Sequence, residues 1–78
     1  MARFYFDSGE RSFVFEDEIG VECTGIAEAR RAGLEGLIDL TRDALKDVDG
    51  QQLLVEVRDE KGDRILRLSL ALEIKLLG

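Results

Sequence analysis

The chain contains no histidine and only one cysteine, Cys23. Most acid–base chemistry near neutral pH and most transition-metal ligation draw on those two residue types. A lone cysteine cannot close an intrachain disulfide, so the usual staple of small secreted domains is missing. No apolar run approaches the roughly 20 residues of a membrane-spanning helix. Met1-Ala2-Arg3-Phe4-Tyr5-Phe6 carries no apolar signal-peptide core. A cytoplasmic protein without membrane association is expected. Positive charge is scarce too: 17 acidic residues stand against 11 basic ones, a net charge of −6. Nucleic-acid affinity rests on neutralising phosphates, and this chain lacks the field for it. Arg30, Arg31 and Arg42 form the densest basic group, but Glu28, Glu35, Asp39 and Asp43 surround them. That mixture reads as a solvated, salt-bridged helix face. Neither GxGxxG nor a Walker motif occurs, and no cofactor is expected.

Seventy-eight residues, 45% hydrophobic and 36% charged, make one globular domain spanning residues 1–78. Arg3-Phe4-Tyr5-Phe6 and Ser12-Phe13-Val14-Phe15 read as two strands of a hairpin, with Asp7-Ser8-Gly9-Glu10 supplying turn residues. Alternation puts Phe4 and Phe6 on one face and Tyr5 on the other. Val21-Glu22-Cys23 is a short extended segment. Thr24 is the expected N-cap of a helix from about Ile26 to Val48, with Gly25 the second candidate. At 100° per residue, Ile26, Ala29, Gly33, Leu37, Leu40, Ala44 and Val48 form one apolar arc, which Leu34, Ile38 and Leu45 widen. Gly50 suits the left-handed position after the helix. Leu53–Arg58 is the third strand, and Asp59–Asp63 a tight turn containing Gly62. From Leu66 to Leu76 every even position is apolar. That alternation is long for a strand, so it predicts either an overshooting strand or a helical turn after Ser69. The expected fold is α+β: ββαββ, with a single antiparallel or mixed four-stranded sheet and one amphipathic helix on one face. The opposite sheet face would carry Tyr5, Val14, Leu54, Glu56, Arg58, Ile65 and Arg67.

Four carboxylates, Glu16, Asp17, Glu18 and Glu22, crowd one short segment. Oxygen ligands on a loop can hold Ca²⁺ or Mg²⁺, though EF-hand spacing is absent, and the simpler reading is a solvated turn beside an aromatic strand. Cys23 has no histidine to activate it and reads as a packing residue. Arg30 falls near the centre of the apolar arc. Its expected role is structural, with the stem packed and the head paired with Asp17 or Glu18.

The order and spacing of several short pieces then resemble the DUF6894-type family of small bacterial proteins. These are Arg3-Phe4-Tyr5-Phe6 and its turn, Asp17-Glu18-Ile19-Gly20-Val21-Glu22, Ala29-Arg30, Asp49-Gly50, and Val55-Glu56-Val57 leading into Asp59-Glu60-Lys61-Gly62. The chain departs from the family pattern at Asp7, often His there, and near Cys23 and Thr24, where Pro is common. The resemblance implies no activity, and it places Arg30 within the family pattern.

The expected function is that of a non-catalytic protein-interaction or regulatory module, not an enzyme. It would bind a protein partner or form a homodimer through Leu72, Ile74, Leu76 and Leu77 or an open strand edge. Two alternatives belong to other classes. One is a small ligand- or cation-binding protein using the acidic 16–22 loop. The other is an antitoxin of the HicB type, which also begins with a hairpin and a helix but carries a DNA-binding region that this chain lacks.

Overall fold

The computed structural model describes residues 1–10, 13–44 and 52–78. In chain order it contains β1 (Ala2–Glu10), β2 (Phe13–Phe15), β3 (Val21–Cys23), α1 (Ile26–Ala44), β4 (Gln52–Arg58) and β5 (Arg64–Ala71). The strands form one open sheet in the order β2–β1–β4–β5, with β3 also paired to β1. Every pairing is antiparallel. The α+β expectation holds, but the sheet has five strands rather than four. The extra strand is β3. Ser8 lies opposite Phe15, and Phe4 lies opposite Val21. Residues 5–7 of β1 therefore face residues 16–20, and the longer segment must loop out before the chain re-pairs with β1.

Two local readings need correction. The Asp7-Ser8-Gly9-Glu10 segment is not a turn but the second half of β1, laddered to β2 on one side and to Leu53–Glu56 of β4 on the other. The link between β1 and β2 falls at residues 11–12, outside the described residues. Thr24 is not the N-cap. Helix α1 begins at Ile26, the Gly25 carbonyl accepts the Ala29 N–H at 3.1 Å, and the Thr24 hydroxyl donates to the Glu28 carboxylate at 3.0 Å. Gly25 thus holds the capping position. The expected helix end near Val48 and the Gly50 cap also lie outside the described residues.

The core follows the two periodicities. Phe4, Phe6, Val55, Val57, Leu66 and Leu68 meet Ala29, Gly33 and Leu37 of the helix between the two layers. Cys23 closes one end of that core, and Leu53 with Leu40 closes the other. The buried helix stripe is narrower than the expected arc: Ile26, Leu34 and Ile38 are about half exposed. Phe13 and Phe15 stack edge to face, 4.8 Å between ring centres, and remain largely exposed.

Among the described residues β5 is the last strand on its side of the sheet. Its final described ladder pair joins Ala71 to Gln52, where β4 begins. Residues 72–78 continue without regular secondary structure. The strand does not overshoot, and no helical turn forms.

Candidate functional site

Two surfaces concentrate the unusual features. The first is the helix-free sheet face. Tyr5, Asp7, Glu56, Arg58 and Arg67 project there because they alternate with the core residues of β1, β4 and β5. Asp7 and Glu56 are the buried charged residues of this face. Arg58 grips Asp7 with two bonds, Nε to Oδ2 at 2.6 Å and Nη2 to Oδ1 at 3.1 Å. Its Nη2 also donates to the Asp17 carbonyl at 2.9 Å and lies 3.6 Å from Glu16. The guanidinium carbon sits 5.1 Å from the centre of the Tyr5 ring. Glu56 receives both Nε and Nη2 of Arg67, at 3.0 and 2.8 Å.

The acidic 16–22 segment is organised around Asp17. One of its carboxylate oxygens accepts the Phe6 N–H at 3.0 Å, a β1 donor left without a strand partner by the loop-out. The other accepts the N–H groups of Ile19 and Gly20 at 3.0 and 3.2 Å. The Asp17 N–H in turn donates to Asp7 at 2.8 Å. Gly20 adopts φ +77°, and a Cβ there would press on the Phe4 carbonyl and the Arg3 stem at 2.9 Å. Arg3 holds the far side of the loop, donating to the Ile19 carbonyl at 2.8 Å and pairing with Glu22 at 3.3 Å.

Burial alone would raise the pKa of both Asp7 and Asp17. For Asp7 the Arg58 hydrogen bonds, the Asp17 N–H and the Arg58 charge outweigh it; for Asp17 the Phe6, Ile19 and Gly20 N–H groups and Arg58 do so. Both carboxyls are held below the ordinary aspartate value. The same contacts raise the Arg58 pKa, the Asp7 hydrogen bond foremost. Burial, reinforced by Glu28, pushes the Cys23 thiol up, so it stays protonated at neutral pH.

These contacts locate the acidic candidates. Asp17 binds backbone donors, Glu16 approaches Arg58, and Glu22 pairs with Arg3. Among the described residues no group of three or more such side chains is placed to hold a metal ion. Arg30 is exposed on α1, and among the described residues no ion pair joins it to Asp17 or Glu18. Arg58 and Arg3 are the cations that engage the loop. Asp7 was missed as a buried anchor because Asp-Ser-Gly has turn composition. Its partner lies 51 residues away, and only the charged Arg58 at the end of an apolar strand hinted at it.

The second surface is the β5 edge and the segment beyond it. Leu66 and Leu68 are half-buried, and Leu70 is 47% exposed. Leu72 is half-buried, whereas Ile74, Leu76 and Leu77 are strongly exposed. Leu40, on one flank of α1, borders a recess with Phe13, Phe15 and Leu53 on the β2 side. Leu34 and Ile38 occupy the other flank by helical phase, the side toward β5. Among the described residues the sheet therefore ends in an open strand edge bordered by apolar side chains. Among the described residues no helix is long and apolar enough to cross a membrane.

The family model for a domain of unknown function, DUF6894, matches residues 3–71. No curated protein and no solved structure matches.

Proposed function

The chain belongs to the DUF6894 family, and from that premise we propose that it is a small, non-catalytic protein-interaction module that binds protein partners, its own copies among them, through the β5 edge and the segment carrying Leu72, Ile74, Leu76 and Leu77. The observation that carries this reading is the open eight-residue strand β5, bordered by apolar side chains and running directly into that exposed segment. An edge strand presents a row of backbone donors and acceptors on which another chain can add a strand. Natural sheets blunt such edges with charge or proline; β5 has no proline, and beyond Arg64 and Arg67 it places leucine at 66, 68 and 70.

The non-catalytic part rests on the charged face, where Asp7, Glu56 and Arg58 are already committed to one another and to backbone. The Asp17 carboxylate, filled by three backbone donors, disfavours the cation-binding alternative. A cytoplasmic setting belongs to the same reading, supported by the single buried thiol.

The test is solution mass against concentration for the full chain and for the double variant Ile74→Glu/Leu76→Glu. Both sites are exposed, so the variant should still fold and melt as the dissociated parent chain does at low concentration. Assembly that rises with concentration and is lost in the variant is the expected result. A chain monomeric at every concentration, or an assembly indifferent to the variant, overturns the reading.

A further inference from the structure

We infer that two copies of this chain pair antiparallel along β5 about a two-fold axis at Leu70, with residues 72–74 of each copy joining the ladder against residues 66–68 of the other. The inference rests on the interaction surface proposed above and gives it a partner and a register.

Directly opposed residues of an antiparallel pair lie on the same sheet face. Leu66, Leu68 and Leu70 face the helix layer, opposite Val57, Val55 and Leu53, while Arg67 and Ser69 face the other way, opposite Glu56 and Leu54. A symmetric pairing that keeps apolar with apolar must therefore centre on a residue, not between two. Charge then selects among the centres. An axis at residue 67 sets Arg67 against itself, and an axis at 71 sets Arg67 against Lys75. An axis at 68, 69 or 72 gives Arg67 no acidic partner. An axis at 70 places Arg67 directly opposite Glu73 of the second copy, twice per dimer, and continues the Glu56–Arg67 pair into a three-member charge row. The same register sets Leu68 against Leu72, Leu66 against Ile74 and Leu70 against its own counterpart.

This arrangement also uses apolar surface that the single chain leaves exposed. Leu34 and Ile38, each 46% exposed on the β5 flank of the helix, then face their counterparts above the joined strands. Glu73 is free to change partners, because its present contact with Lys75 is an exposed pair at 3.6 Å and worth little. The interface is isologous and closes at two copies, as a two-fold contact requires.

The test uses the full chain carrying one added cysteine, Leu68→Cys, Leu70→Cys or Leu72→Cys, under mild oxidation. Cys23 is 1% exposed and stays out of the reaction. Each position meets its own counterpart only when the axis passes through it, so the expected result is a covalent dimer formed preferentially by Leu70→Cys. In parallel, Glu73→Lys should weaken the dimer roughly tenfold by turning two attractive cross-strand pairs repulsive. Dimers that cross-link preferentially at 68 or 72, or that Glu73→Lys leaves unchanged, overturn this register. The β5 interaction surface survives that outcome if Ile74→Glu/Leu76→Glu still abolishes assembly. A chain that never dimerises overturns both.

Discussion

At the scale of single residues, Asp7 and Arg58 dominate. Their side chains are 7% and 17% exposed, and each is the other's main charged partner. Removing one member of such a pair costs more than the pair contributes, because a charge is left without compensation. Asp7→Asn should destabilise the fold by about 3 kcal/mol, the lower end for a buried pair, since Arg58 keeps the Asp17 carbonyl and Glu16. Denaturant titration measures it. The same carboxylates set the acid limit. Asp7 and Asp17 have folded pKa values below their unfolded ones, so their stabilisation is complete above the unfolded value, about 3.9, and is lost as pH falls through the folded values. Melting temperature should stay flat from neutral pH to about 5 and fall steeply below about 4, with a shallower fall in Asp7→Asn. Cys23, buried and with a raised pKa, should react with a thiol reagent orders of magnitude more slowly in the native protein than in denaturant. A native rate close to the denatured one would mean that the β3 end of the core opens readily. Little of this residue-scale chemistry was legible beforehand. Asp17 and Glu22 stood out as acidic, but nothing in their spacing revealed that they would bind backbone N–H groups and Arg3. Arg30, the cation that attracted notice, stays in solvent, because the loop's cations come from β1 and β4.

At the scale of elements, local pattern carried most of the information. The 3.6-residue period places Ala29, Gly33 and Leu37 in the core, and the period of two places Leu53, Val55 and Val57 there. Composition misled where pairing overrode it: Asp-Ser-Gly-Glu sits inside β1 because β4 and β2 hold it from both sides. The two glycines of α1 separate cleanly. A Cβ on Gly33 would lie 3.0 Å from Leu68 Cδ1 and 3.5 Å from Val57 Cγ2, so the missing side chain brings helix and sheet together. A Cβ on Gly36 would meet nothing within 4 Å. Gly36→Ala should therefore stabilise by about 1 kcal/mol through helix propensity alone, raising the melting temperature by roughly 4–8 °C in a domain of this size. Gly33→Ala should gain less or lose, as Leu68 must give way. Equal effects at both positions would show that the helix–sheet contact relaxes without cost.

At the scale of the whole molecule, the sheet is finished on one side and open on the other. β2 and β3 together cover the outer edge of β1, and the Asp17 carboxylate closes the gap between them. No strand among the described residues covers β5. If assembly completes the sheet there, melting temperature should rise with protein concentration, because association stabilises the folded state by mass action. Ile74→Glu/Leu76→Glu should melt at one temperature whatever its concentration. The fold class and the apolar C-terminal alternation could be read from sequence; strand order could not, since β1 and β4 are joined by contacts across some 50 positions that no local period encodes.

That long connection bears on how the chain is made. β1 leaves the ribosome early, and β2 and β3, the neighbours on one of its sides, follow soon after. β4, its other neighbour and the carrier of Arg58, is synthesised only after the entire helix. Asp7 must therefore wait, solvated and unpaired, until most of the polypeptide exists. The pairing that holds the sheet's centre is of high contact order, and it should form late in vectorial synthesis and slowly in refolding.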